Sequence, residues 1–100
     1  MRRIHADWEA VDAALAPHQR RTLREYAAAR GIAEDSLWED PVVCTMGVAL
    51  AVDAALAAAR ARGEPVERRA LLQAAVKFDV DIETLLRRQR RRRRLREADI

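Results

Sequence analysis

Between Val42 and Ala59 the only polar side chains are Thr45 and Asp53. A helix of that composition is apolar on nearly every side, so other elements have to surround it. Asp40 is a suitable N-cap and Pro41 a suitable first residue, while Gly63 suits a left-handed stop. The stretch therefore predicts a central helix from Pro41 to about Arg62. Gly47, Ala51, Ala55 and Ala59 recur every four residues as a ridge of small side chains, which lets another helix come close within the chain or across a dimer axis. A spanning helix needs about 20 strongly apolar residues. Alanine contributes little to such a run and Asp53 interrupts it, so no membrane association is expected.

The remaining elements are also helical in pattern. Ile4, Trp8, Val11 and Leu15 form one stripe, predicting a first helix from about Ile4 to Leu15 with Asp7, Glu9 and Asp12 facing away. Pro17 suits the first turn of a second helix, about His18 to Arg30, which buries Leu23, Tyr26 and Ala27 and stops at Gly31. Glu34 to Glu39 returns Leu37 and Trp38 to the core. Glu64-Pro65 restarts the chain into a helix ending at Phe78, with Leu71, Ala74, Ala75 and Phe78 at i, i+3, i+4 and i+7. A last helix follows Asp81, with Glu83 at the positive end of its dipole. No strand pattern occurs. The expected fold is all-α, a compact bundle of five or six helices around an Ala-rich centre with an Arg-rich C-terminal helix. Residues 1–86 form the core domain and 87–100 the extension.

Half of the 100 residues are hydrophobic, but 21 are alanine. A chain of this length buries only about 60–65% of its unfolded surface, and a homodimer sharing a core would relieve that shortage. The single cysteine, Cys44, lies in the apolar run and reads as a small buried hydrophobe in a reducing, cytoplasmic setting. The N-terminal arginines are not followed by the apolar run of a secretory signal.

Charge is distributed very unevenly. Residues 1–86 hold eleven Lys/Arg and fourteen Asp/Glu, whereas Arg87–Arg96 contains eight arginines, interrupted by Gln89 and Leu95 alone. The bias toward alanine and arginine, with Lys77 the only lysine, is that of a GC-rich bacterial or phage genome. Such bias would spread arginines along the chain, so their clustering is the informative feature. Like charges at i, i+4 weaken a helix, and the tract alone is expected to fray. A polyphosphate partner relieves the repulsion and releases counterions. Arg87, Arg91 and Arg94 share a face continued from Thr84, and Arg88, Arg92 and Leu95 form the neighbouring one. Five arginines on duplex phosphates would give a log affinity–log salt slope near about −4.5.

The segment Leu71–Arg94 resembles a helix-turn-helix DNA-binding motif. Ala75 is the small residue of its first helix, Asp79 holds the turn, Val80 packs beneath it, Asp81 caps, and Leu85 anchors the second helix. The resemblance implies a second, recognition helix in the major groove and a two-fold dimer on paired half-sites. Asp79 stands where glycine is usual, Arg88 where an apolar residue is usual, and Asp81-Ile82-Glu83 makes an acidic opening. An earlier segment, "LREYAAARGIAEDSLWED", matches the pattern more weakly, with Ala27 and Gly31 in the motif positions, and reads as structural.

No catalytic, metal-ligating or cofactor-binding constellation is present. His5 and His18 have no carboxylate or cysteine at a motif spacing, Ser36 is the only serine, and no glycine-rich phosphate loop occurs. Trp8, Tyr26, Trp38 and Phe78 lie on apolar helix faces and read as core rather than as base-stacking platforms. The expectation is a non-enzymatic bacterial or phage protein that binds nucleic acid. Duplex DNA is the first choice and RNA the second, in the manner of a small transcriptional regulator or mobile-element accessory factor. Arg87, Arg88, Arg90, Arg91, Arg92, Arg93, Arg94 and Arg96 are the phosphate ligands, and Thr84 and Arg87 are placed to reach bases. The alternative is a protein-interaction module, such as a phage inhibitor or assembly adaptor, whose cationic arm docks on an acidic surface.

Overall fold

A computed structural model describes residues 4–64 and 68–98, with side chains as far as Arg91. Five α-helices and one 3-10 turn make up the chain, with no strand among the described residues. The helices are α1 (Trp8–Ala14), α2 (Pro17–Ala29), α3 (Pro41–Ala61), α4 (Arg68–Phe78) and α5 (Ile82–Ala98), and the 3-10 turn (Glu34–Glu39) precedes α3. The expected all-α bundle is what forms. Pro65, the expected helix start, lies outside the described residues.

α3 is the centre because its surface leaves no alternative. Val43, Cys44, Gly47, Val48, Ala51, Val52, Leu56 and Ala59 are all buried, and α1, α2, α4 and the 3-10 turn pack against them. Asp40 caps the helix, its Oδ2 accepting from the Val43 N–H at 2.9 Å. At 21 residues α3 is long and apolar enough to cross a membrane by length and composition, despite its alanines and Asp53. Within this fold eight of its residues are buried in the core of the bundle.

The small-residue ridge is used within the chain. Trp38 covers Gly47 so closely that an added Cβ would stand 2.5 Å from Cζ3 and 2.8 Å from Cη2 of the indole. Trp38 in turn stacks on Trp8, with ring centroids 5.1 Å apart and planes 10° from parallel. Ala51 and Ala59 are buried and Ala55 is half-buried against the same core. The ridge thus brings α3 close to its own neighbours.

α1 is shorter than its apolar stripe. Asp7 leaves the helix to cap it, accepting from the Ala10 N–H, while its own N–H donates to the Phe78 carbonyl at 2.7 Å. Residues 4–7 are therefore tied to the far end of α4. At the other end Pro17 forces the preceding residues into extended backbone, as Leu15 and Ala16 show. Arg20 closes that end by donating to the Asp12 and Leu15 carbonyls. Arg24 forks onto Asp12 at 3.0 and 3.1 Å and reaches Glu34 at 2.9 Å, joining α1, α2 and the 3-10 turn. The bond to Asp12 holds the Arg24 guanidinium above its ordinary value, with desolvation opposing and Glu34 adding.

Three helices end in the same way. Residues Gly31, Gly63 and Asp79 have φ of 75°, 71° and 52°. The next N–H reaches back to Ala27, Ala59 and Ala75 respectively, the six-to-one bond of a Schellman motif.

Gly47→Ala is expected to destabilise the chain. The indole clash costs about 1–3 kcal/mol, more than the roughly 1 kcal/mol gained by replacing a helical glycine. Denaturant midpoints would read the loss, and adding Trp38→Leu should make the pair less than additive.

Candidate nucleic-acid interface

α4 and α5 are joined by only three residues, Asp79 to Asp81. Leu71, Ala74 and Phe78 of α4, Val80 of the connection and Leu85 of α5 are all buried, so one apolar seam holds the hairpin together and seats it on the core. Asp79 supplies the left-handed turn itself. Aspartate tolerates that conformation better than most side chains because its carboxylate is short and polar. Here the carboxylate accepts from His5 Nε2 at 3.2 Å, with both side chains largely exposed.

The backbone of α5 is helical from Ile82 to Ala98, a rod of about 26 Å. It runs on through the tract where repulsion alone predicts fraying. Arginine has high intrinsic helix propensity. The first turns of α5 are held to the core by Leu85 together with the half-buried Ile82 and Leu86, and Glu83 stands four residues before Arg87, the favourable order for such a pair.

The expected ligands divide into distinct environments. Arg87, Arg90 and Arg91 are exposed. Arg88 is not part of that group: it is half-buried, and its Nη1 donates to the Thr45 carbonyl in α3 at 3.1 Å. It shares a cleft with Val48, Ala49, Val52 and Asp53 of α3 and with Leu85 and Gln89 of its own helix. Thr84 is half-buried, with Oγ1 3.5 Å from Asp81 Oδ2. The side chains of Arg92, Arg93, Arg94 and Arg96 lie outside the described residues.

Arg88, expected as a phosphate ligand, carried a signal in the sequence that could have set it apart. It occupies the motif position that is ordinarily apolar, and Thr45 and Asp53, the only polar residues between Val42 and Ala59, both lie where α5 meets α3. Two polar residues on one side of an otherwise apolar helix signal that something polar packs there.

The outer face of α4 differs from the rest of the surface. Leu72 and Val76, 42% and 85% exposed, are the two exposed large hydrophobics among the described residues. They lie at i, i+4 beside the exposed Arg68, Arg69 and Lys77, and α4 contains no acidic residue. Among the described residues no group of three His, Cys, Asp or Glu side chains is arranged to hold a metal.

The fold and the surface define an all-α bundle presenting a cationic C-terminal helix. No protein-family model matches the chain, and no curated protein or solved structure shows significant similarity to it.

At position 79 a glycine variant should be more stable than an alanine variant by about 1 kcal/mol. Both lose the exposed contact to His5, and only alanine carries the left-handed penalty. Equal urea midpoints for Asp79→Gly and Asp79→Ala would mean that the turn is relaxed in solution.

Proposed function

We propose that this chain is a nucleic-acid-binding protein that engages duplex DNA through α5, acting as a small bacterial or phage regulator or accessory factor. The observation that carries the reading is the rod itself. An anchored helix leaves the core with Arg87, Arg90 and Arg91 exposed and continues in helical backbone through four further arginine positions, Arg92, Arg93, Arg94 and Arg96. Guanidiniums at that density neutralise phosphates at successive positions along a duplex. The α4–turn–α5 unit acts as a variant helix-turn-helix. Its acidic opening at Asp79, Asp81 and Glu83 moves the phosphate contacts away from the helix N-terminus, where the motif ordinarily makes its base contacts, and toward the middle and end of α5. Arg87 is the first exposed cation past that opening and the best placed to reach a base edge. Phosphate contacts supply affinity and register with no sequence preference of their own. In this reading the protein is cytoplasmic and works as a two-fold dimer on paired half-sites.

A second reading has one specific observation behind it. Leu72 and Val76 are exposed side by side next to three cations, a combination that an acidic, partly apolar protein surface would cover and a phosphate backbone would not. In that case α4 and α5 together form the docking face of an interaction module.

The two readings separate in a salt titration with random-sequence duplex DNA. The full chain should bind with a steep negative slope. A full-length variant carrying Arg90→Gln, Arg91→Gln, Arg93→Gln and Arg94→Gln, with Arg88 retained, should bind weakly, its slope shrunk by about 3.6. Absence of binding by the unaltered chain at low salt would end the duplex reading and favour the protein partner.

A further inference from the structure

We infer that Arg88 is a positioning residue, a strut that fixes the direction in which the arginine helix leaves the core, and not a ligand of the partner. The inference rests on the proposed nucleic-acid reading for its functional half only. Three observations carry it. Arg88 is half-buried while its neighbours Arg87, Arg90 and Arg91 are exposed. Its guanidinium donates to the carbonyl of Thr45 in α3, 43 residues away in sequence, at 3.1 Å. It also borders the cleft that holds Asp53, the one acidic side chain between Val42 and Ala59.

The chemistry distinguishes this arginine from the others. The Thr45 carbonyl lies within the first turns of α3, where its oxygen already serves the helix ladder, and a carbonyl has a second lone pair to offer. The Thr45 hydroxyl is itself turned back, donating to the Pro41 carbonyl at 2.9 Å. A charged donor there makes a stronger bond than a neutral one, and the methylene stem of arginine covers apolar surface beside Val48 and Val52. Leucine would fill that apolar space but could not reach the carbonyl. Arginine does both, which accounts for its presence where a helical hairpin of this type ordinarily places an apolar residue.

The consequence concerns order along α5. Leu85 pins the first turn, and Arg88 pins the next, where it and Gln89 line the cleft against α3. Beyond it the tract is a row of like charges, so the bond at Arg88 sets how far helical order extends into the rod in the free protein. A helix ordered in advance loses less freedom on binding. Arg88 therefore contributes to affinity without meeting a phosphate.

The test compares full-length Arg88→Ala and Arg88→Leu with Arg91→Ala and the unaltered chain. Arg88→Leu keeps the apolar packing should the alanine variant fold poorly, and Arg88→Lys, which restores one donor, should recover part of the effect. Amide hydrogen exchange in the free protein is read first. Residues 89–96 should lose protection in both Arg88 variants and keep it in Arg91→Ala. Unchanged protection would overturn the strut, whether or not the chain binds DNA. With random-sequence duplex, the Arg88 variants should bind about fivefold more weakly with the salt slope unchanged, as for a lost ordering contribution. Arg91→Ala should instead reduce the slope by about 0.9. A slope reduced equally by Arg88→Leu would make Arg88 a phosphate ligand and overturn the assignment. So would unchanged affinity in a folded variant, which would confine Arg88 to stability. Failure of the unaltered chain to bind duplex would remove the nucleic-acid reading while leaving the exchange experiment to decide the strut.

Discussion

The contact of Trp38 with Gly47 sets the spacing of the whole bundle. α3 is apolar nearly all round, and a chain of 100 residues with so many alanines has few large side chains to cover it. Placing an indole against a glycine covers the helix backbone directly, and stacking that indole on Trp8 brings α1 onto the same site. Two large aromatic side chains thereby act as one slab between α1, the 3-10 turn and α3. The buried area they supply offsets the small size of the alanines further along the ridge.

The second organising constraint is electrostatic. Apart from the C-terminal tract the chain is mildly acidic, and its half-buried Asp12, Arg20 and Arg24 are paired with one another. Asp12 holds Arg24 in a fork, and Glu34 takes the remaining edge of the same guanidinium. The tract cannot be neutralised in that way, because eight arginines are followed by only two acids. The structure deals with it by anchoring the beginning of α5 and letting the remainder extend as a helix. Among the described arginines of the tract, Arg88 is the one taken back into the body of the protein. This division between the inward Arg88 and the exposed Arg87, Arg90 and Arg91 gives the described part of α5 two distinct sides.

Much of the fold is readable from local chemistry. The start of α3 at Pro41 with Asp40 as cap and the left-handed ends at Gly31 and Gly63 follow from residues whose preferences are strong and short in range. The same holds for Asp79, whose place in the turn was readable from the hairpin pattern. Glu34–Glu39 was readable only as a short segment returning Leu37 and Trp38 to the core, and its 3-10 form was not. The boundaries that differ do so for non-local reasons. The apolar stripe of α1 extends back to Ile4, but the helix begins at Trp8 because the Asp7 N–H is claimed by the Phe78 carbonyl at the end of α4. No periodicity reports a hydrogen bond made across 71 residues of sequence. The candidate interface was legible as a cluster of like charge and not as a set of roles. Thr84 and Arg88 sit among exposed neighbours in sequence, yet one is engaged by Asp81 and the other by α3.

The sequence by itself determined the helical class, the central place of α3 and the cationic end. Each follows from composition and from spacing within a single element, where the relevant forces act over a few residues. Only the tertiary structure decided which face each residue presents to another element. Gly47 has to be glycine because Trp38 arrives there from the 3-10 turn, and the small-residue ridge is filled by the chain's own neighbours. Arg88 parts company with the other arginines because the Thr45 carbonyl and the cleft beside Asp53 lie within its reach. Such roles depend on which groups packing brings within about 3 Å, the range over which hydrogen bonds form. They are settled only when distant parts of the chain compete for the same donors, acceptors and space.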